Sequence, residues 1–173
     1  GNNYGGLNFA AGTSNAFLQA FNAGHNWVPR PSQGAVIAFL GGATVGSYFR
    51  PVMTAGSVKM IFDGKASSFG TGAQFCGGTV AFNASSNTID NVYVRVNTTI
   101  ELNAPNAFVN GGDVFPPLYM EKDGNNASYV RLNGNDQSFG NQNIANPYGY
   151  ITTPSDKPAT FSFAQTSDWT PRA

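Results

Sequence analysis

The chain has 173 residues, and its 9 basic and 9 acidic side chains cancel to a formal net charge of zero. Charged residues make up only 10% of it, against about 25% in an ordinary soluble domain. The scattered Lys and Arg argue against nucleic acid as the main partner. No apolar run approaches the roughly 18 residues of a membrane span, so we expect no membrane insertion. The length predicts one β domain with a sizeable core.

Uncharged polar residues must supply the solubility, because the chain contains 20 Asn and 21 Gly while charge is scarce. Such a composition is typical of exported surfaces and of virion proteins, so we expect an extracellular or virion-surface location. The chain begins at Gly1 without Met. We therefore expect it to be a processed piece of a longer protein.

Residues 1–30 are predicted to form an N-terminal arm that precedes a β-sandwich domain over residues 31–173. The Gly- and Asn-rich start predicts an irregular segment. One short helix is predicted between a cap at Thr13 or Ser14 and a terminating Gly24. Two prolines then hold the rest of the arm in an extended conformation.

Segments of alternating or continuous apolar residues predict about eight or nine strands in the domain. They span residues 35–40, 44–53, 57–62, 74–83, 91–102, 118–122, 128–132, 149–152 and 158–165. The segment 91–102 has the longest alternation, and only Thr98 interrupts its apolar row. One face of this strand should contact the core. Its polar row would be solvent surface or a contact with a neighbouring subunit.

One-sided burial is typical of antiparallel sheets, because strands of parallel sheets are usually covered on both faces. Asp123-Gly124-Asn125-Asn126 also predicts a hairpin turn. The predicted fold is therefore all-β, an antiparallel two-sheet sandwich of the jelly-roll type, with a barrel as second choice. No repeat of fixed period is visible, which disfavours propellers and β-helices.

The residue types that catalysis requires are few. His25 is the only histidine and Cys76 the only cysteine, and neither lies in a nucleophile motif. Glu101 and Glu121, with Asp113 as a further acid, could form a glycosidase pair only if two carboxyl groups faced each other. We therefore predict a protein that is not an enzyme, with a β-sandwich hydrolase as an alternative.

Calcium is the one cofactor that the loops suggest, and the prediction is otherwise that no cofactor is bound. Asp123 and Asn125 lie close together in one turn, and Asn135 and Asp136 in another. Oxygen ligands of this kind suit a hard cation. The same residues are also typical of hairpin turns for conformational reasons alone.

Aromatic residues in polar loops predict a saccharide site, because flat rings pack on sugar CH surfaces while amides bind hydroxyls. The alternative is that the rings fill the ends of the sandwich or a subunit interface. The candidate ligand-binding residues are Trp27, Asp123, Asn125, Asn126, Asn146, Tyr148, Tyr150 and Trp169.

Gly34-Ala-Val-Ile-Ala-Phe-Leu-Gly41 is similar to the opening of collar-type domains in phage tail fibres, over these residues alone and with no functional residue carried over. The predicted function is a surface recognition module, such as a viral or phage fibre head or a bacterial adhesin, that binds a glycan or protein receptor through end loops. We expect a homo-oligomer, with a trimer favoured. A self-assembling capsid or fibre subunit is the alternative.

Overall fold

The computed structural model describes residues 12–53, 58–110, 115–140 and 149–163. Over these residues the chain winds into a parallel β-solenoid of about 6 turns. A typical turn contributes one strand to each of three sheets, named A, B and C in the order in which the chain visits them. The all-β class is confirmed. The predicted antiparallel sandwich of the jelly-roll type is wrong, and so is the barrel.

The strands of each sheet follow one another in parallel along the solenoid axis. Sheet A contains β1 (Ser14–Phe17), β3 (Val36–Phe39), β6 (Lys59–Phe62), β9 (Gly78–Phe82), β12 (Thr98–Leu102), β16 (Asn126–Arg131) and β18 (Gly149–Thr152). Sheet B contains β2 (Phe21–Ala23), β4 (Ala43–Val45), β7 (Ser68–Phe69), β10 (Asn87–Ile89) and β13 (Phe108–Val109). Sheet C contains β5 (Tyr48–Phe49), β8 (Gly72–Phe75), β11 (Val92–Val94) and β14 (Leu118–Met120). The other described strands are β15 (Lys122–Asp123), β17 (Gln137–Phe139) and β19 (Phe161–Phe163).

The one-sided burial of these strands has a different cause from the one predicted. Between two neighbouring strands of one sheet, the chain runs around the coil through the other sheets. The outer face of a parallel sheet is thus left to solvent, because no crossover helix covers it. The register spaces successive turns by roughly 20 to 30 residues. The repeat therefore exists, and its uneven length explains why the exclusion of β-helices was wrong.

A column of phenylalanine rings runs through the interior behind sheet A. Phe17, Phe39, Phe62 and Phe82 are register partners in four successive turns. Neighbouring rings are stacked, with centroids 5.0, 5.0 and 5.1 Å apart, and Leu102 continues the column. Each fully buried ring contributes roughly 1.5–3 kcal/mol through removal of apolar surface from water.

Tight corners between the sheets account for much of the Gly and Asn content. Gly64 has a φ of 75° at the corner after β6, and a Cβ there would lie 2.1 Å from the carbonyl oxygen of Leu40 in the preceding turn. Asn97 and Asn133 adopt φ values of 59° and 52° at other corners, a left-handed conformation that Asn tolerates better than most residues. Stacked turns therefore select these two residue types.

The segment 91–102 forms two strands, β11 and β12, and not one. A corner at Asn97 separates them, and positions 92, 94, 98, 100 and 102 are buried while Val96 beside the corner is half-buried. Thr98, which breaks the apolar row, is fully buried. Its hydroxyl accepts a hydrogen bond from the Gly77 N–H at 2.7 Å and donates one to the Phe75 carbonyl at 3.2 Å.

The predicted N-terminal helix is wrong, because its residues form β1 and β2. Phe17 and Phe21 are four positions apart across a corner, and both rings lie against Phe39, at 5.0 and 5.5 Å between centroids. A spacing of four residues between apolar rings also fits one face of a helix, but here it arises from the bend between two sheets. No helix in the described part of the chain is long and apolar enough to cross a membrane.

The hairpin predicted at Asp123-Gly124-Asn125-Asn126 is confirmed as a local addition to the coil. Strand β15 pairs antiparallel with the start of β16, and Asp123 lies opposite Asn126. Gly124 has a φ of 56°, which a two-residue hairpin loop of this kind requires at its first position.

Candidate functional site

The outer surface of sheet C carries aromatic, amide and guanidinium side chains along several turns. Trp27, Phe49 and Phe75 on its strands and extensions are buried, while the residues that alternate with them face solvent. We call this outer surface the C face. Its residues are Val28, Arg30, Tyr48, Arg50, Val52, Gln74, Cys76, Tyr93, Arg95, Tyr119 and Glu121.

The register aligns residues of the C face along the solenoid axis. Gln74, Tyr93 and Tyr119 are partners in three successive turns. Adjacent strands of a sheet lie about 4.8 Å apart. The C face therefore presents an amide and two phenol rings in one row, at a regular spacing set by the backbone.

Two contacts order the side chains of this row, one of them with the neighbouring Tyr48. The Tyr48 hydroxyl donates a hydrogen bond to Gln74 Oε1 at 3.1 Å. Tyr93 and Tyr119 stack with centroids 4.5 Å apart and 11° between the ring planes. Burial raises the pKa of the Tyr48 and Tyr119 phenols above their ordinary value, and the Arg50 cation offsets part of the rise at Tyr48. Both phenols are therefore neutral at physiological pH.

A cavity of about 610 Å³ opens on the first two turns of the C face. It is lined by Val28, Arg30, Arg50 and Val52. The backbone N–H of Arg50 donates to the Trp27 carbonyl at 2.9 Å. This pairing places Val28 beside Arg50 and, two residues farther along both strands, Arg30 beside Val52. Two guanidinium groups thus lie on one diagonal of the cavity and two apolar side chains on the other.

Prolines restrain the backbone around both arginines. Arg30 lies between Pro29 and Pro31, and Arg50 precedes Pro51. A proline fixes its own φ and keeps the residue before it extended. All three proline rings are buried. The arginine side chains therefore project toward solvent from backbone positions with little freedom.

The ion pairs between described residues lie outside this cavity. Arg95 pairs with Glu121 farther along the C face. On the outer face of sheet A, Glu101 pairs with Lys59 at 3.0 Å and with Arg131 at 3.6 Å. Neither guanidinium of the cavity has an acidic partner among the residues that the structure describes.

A second pair of tyrosines lies on the outer face of sheet A. Tyr129 and Tyr150 are register partners, and their rings stack with centroids 5.3 Å apart. They are 37% and 48% exposed. Tyr150 was predicted as a ligand-binding residue, whereas its stacking partner was not.

The other predicted aromatic residues are not brought to one place within the described chain. Trp27 is only 2% exposed and stacks on Phe49 in the core, with centroids 5.2 Å apart, so its ring is not available to a ligand. Asn146, Tyr148 and Trp169 lie outside the described residues. For these three, the prediction of a saccharide site stays a prediction.

The predicted polar ligands of the hairpin are exposed at its tip. Asp123, Asn125 and Asn126 are all exposed, and their conformation is explained by the turn itself. Asp123 and Asn125 lie in the connection that leads from β14 of sheet C to β16 of sheet A, and Asn126 begins β16.

The predicted metal candidates at the next corner are engaged with the backbone. The Asn135 amide donates to carbonyl oxygens, among them that of Leu102 at 3.2 Å, and Asp136 Oδ1 accepts from the Thr160 N–H at 2.6 Å. No group of three or more His, Cys, Asp or Glu side chains among the described residues could hold a metal ion.

The residues considered for catalysis are separated by the coil. Glu101 lies on the outer face of sheet A, whereas Glu121 belongs to the C face. His25 is exposed after β2, and Cys76 is half-buried on the C face. Asp113 lies outside the described residues. The two glutamates therefore do not face each other across a cleft.

Comparison with family models, with curated proteins and with solved structures finds no match to this chain. The function must be inferred from the chemistry of the C face. Sequence reasoning did not single out Arg30, Arg50 or Gln74 as site residues. The signal that could have found the arginines is the recurrence of Arg-Pro at positions 30 and 50, roughly one turn of 20 residues apart.

Proposed function

We propose that the protein is a non-enzymatic recognition module that binds a saccharide through the C face, outside the cell or on a virion surface. The observation that carries this proposal is the axial row of Gln74, Tyr93 and Tyr119, with Tyr48 bonded to the amide. Phenol rings pack against the CH surfaces of sugars, while amide and phenol groups hydrogen-bond to hydroxyls.

The rigidity of the row supports the same proposal. Its side chains stand on strands of a continuous ladder and not on loops. The Tyr93 and Tyr119 rings are already stacked on each other. A surface that is ordered before binding loses little conformational entropy when the ligand arrives. An extended saccharide lying along the axis could contact several turns at once.

The placement of the acids supports a binding role over hydrolysis. Glu101 is held by Lys59 and Arg131 on one face of the coil, and Glu121 is held by Arg95 on another. A glycosidase needs two carboxyl groups that face each other across the bond to be cleaved, and these two lie on different faces of the coil.

The test is saccharide binding by the assembled protein and by two double variants. Glycan-array binding followed by calorimetry would compare Tyr93→Ala/Tyr119→Ala with the matched control Tyr129→Ala/Tyr150→Ala, which removes the stacked pair of sheet A. We expect the first variant to lose roughly three- to tenfold in affinity for each ring removed. The control should bind as the wild type does.

The outcomes of this experiment distinguish the C face from sheet A, from a structural subunit and from an enzyme. Loss of binding in the control alone would move the site to the outer face of sheet A. If no saccharide binds and light scattering finds a large closed assembly, the protein is a structural subunit and the proposal is overturned. Turnover of a bound saccharide by the wild type would overturn the non-enzymatic part of the proposal, and its persistence in Glu101→Ala/Glu121→Ala would exclude these two acids as the catalysts.

A further inference from the structure

We propose that the cavity on the first two turns of the C face is an anionic subsite that takes a carboxylate of an acidic saccharide. The proposal rests on the proposed saccharide-binding function and names the class of sugar. Its residues are those that line the cavity, Val28, Arg30, Arg50 and Val52. The neutral remainder of the sugar chain would lie on the row of Gln74, Tyr93 and Tyr119.

The charge balance of the C face favours an anion. Along the column that begins at Arg30, the register passes through Val52, Cys76 and Arg95 to Glu121. Four strand spacings place that carboxylate about 19 Å from Arg30, beyond the screening length of about 8 Å at physiological ionic strength. Arg95 already neutralises it. Among the described residues, no acid is therefore placed to neutralise the two arginines of the cavity.

The diagonal arrangement of the two arginines also favours a bound anion. Arg30 and Arg50 lie on neighbouring strands, where like charges repel each other. A bound carboxylate would remove this repulsion and supply acceptors for both guanidinium groups. Each guanidinium presents parallel N–H donors that match the two oxygens of a carboxylate.

The surroundings of the arginines suit a sugar acid better than a free ion. Val28 and Val52 form the other diagonal of the cavity, and apolar side chains can contact the CH groups of a sugar ring. Prolines at positions 29, 31 and 51 hold the backbone on which both arginines stand. The donors are therefore positioned before binding, and less entropy is lost when the ligand is bound.

The experiment compares sugars that differ only in charge. The probes are oligogalacturonate and sialyllactose, each with its methyl ester, in which the same carboxylate is uncharged. Calorimetry at low and high salt would be run on the wild-type protein as it assembles. We expect the acid forms to bind more tightly than their esters, with a preference that shrinks as salt screens the charges.

Variants assign the preference to the cavity. Arg30→Gln/Arg50→Gln should lose about tenfold in affinity for the acid form, with affinity for the ester unchanged. Arg30→Lys/Arg50→Lys keeps the charge without the forked donors and should lie between the two. Arg131→Gln removes one guanidinium charge from the outer face of sheet A and should behave as wild type. Thermal unfolding of each variant would show that the coil is intact.

The possible failures can be told apart. Equal binding of acid and ester would overturn the anionic subsite while the saccharide-binding face stands. A preference for the acid that persists in Arg30→Gln/Arg50→Gln would overturn the assignment to the cavity. Binding of polyglutamate as tight as that of the acidic sugars would mean that the cavity recognises a protein acid, and would overturn the sugar assignment. If neither acids nor esters bind to any variant and the glycan array shows no binding either, both the proposed function and this inference are overturned.

Discussion

The interior of the solenoid and the C face are built from the same strands, yet they differ in how completely their polar groups are paired. In the interior, every buried side-chain nitrogen and oxygen of the described residues has a hydrogen-bond partner. The buried polar residues are Ser67, Asn87, Thr98, Ser128 and Gln137. On the C face, Arg30 and Arg50 have no acidic partner among the described residues.

The difference separates positions that the fold explains from positions that it does not. Phe49 and Arg50 are neighbours in the chain, but the ring lies in the core while the guanidinium lines the cavity. A buried group without a partner costs free energy of folding, so the interior must be complete by itself. An exposed arginine is solvated and has no such requirement. Its position beside a second arginine is what the proposed anionic ligand would explain.

The largest expected effect is in the phenylalanine column. Phe62→Ala removes a fully buried ring that lies against Phe39 and Phe82 at 5.0 and 5.1 Å between centroids. We expect a loss of about 3–5 kcal/mol in the free energy of unfolding, because a cavity remains between stacked turns. Urea denaturation followed by circular dichroism measures it. The protein that remains folded should still bind saccharide.

The matched control removes a ring from the outside of the coil. Tyr119→Ala breaks the stack with Tyr93 and should cost about 1 kcal/mol, with a clear loss of binding. If this variant and Phe62→Ala lost equal stability, the distinction between interior and C face would fail.

A smaller effect is expected from one buried hydroxyl. Thr98→Val keeps the shape of the side chain but leaves the Gly77 N–H without its acceptor. It also removes the weaker of two hydrogen bonds to the Phe75 carbonyl, which keeps the one from the backbone N–H of Arg95. We expect a loss of about 1–3 kcal/mol in the free energy of unfolding. Thr99→Val, one position along the strand and on its outer side, should change it by no more than about 0.5 kcal/mol. Equal losses would show that the hydrogen bonds of Thr98 do not stabilise the corner.

The positions of several strands could be predicted from local pattern, whereas their partners could not. The predicted segments 35–40, 57–62 and 149–152 contain β3, β6 and β18. Alternation reports only that one side of a strand is buried, and a parallel coil produces the same pattern as an antiparallel sandwich. The alternation of apolar residues therefore does not determine which strands pair or in which direction.

The corners contain the signal that reveals the coil. Phe39-Leu-Gly-Gly, Phe62-Asp-Gly-Lys and Phe82-Asn-Ala-Ser each place an inward ring directly before a turn. These corners are spaced by 23 and 20 residues, so they do not share one period. The hairpin before β16 lengthens its own turn to 30 residues. A search for corners, and not for a fixed period, would have found the repeat.

The sequence predicts a site of aromatic rings and amides without indicating which strands would bring such side chains together. Aromatic rings beside amides were expected, and such a group exists at Tyr48, Gln74 and Tyr93. The residues first proposed that belong to the described part of the chain lie elsewhere, because a loop aromatic such as Trp27 belongs to the core once the coil closes around it. Which aromatic faces outward depends on the register between turns, and local composition does not contain that information.

The smallest expected effect is a change in the Tyr48 pKa, which tests whether Arg50 and Arg30 act separately on their surroundings. Burial raises the pKa of Tyr48, and the Arg50 cation offsets part of that rise. Arg50→Gln removes the offset, so the Tyr48 pKa should rise further. Tyrosinate absorbance during an alkaline titration measures the change, with Tyr48→Phe identifying the contribution of this phenol.

The sign of the linked change in stability follows from the same shift. The folded pKa of Tyr48 lies above the unfolded value of about 10, so the folded state keeps a proton that the unfolded state has lost. The contribution to stability is therefore full below about pH 10 and falls as the pH rises toward the folded pKa. This fall should continue to higher pH in Arg50→Gln. Arg30→Gln should leave the titration unchanged, because Arg30 is not among the charges that act on Tyr48. If the Tyr48 pKa rose equally in both variants, the two arginines would act on Tyr48 alike. The assignment of this effect to Arg50 alone would then be wrong.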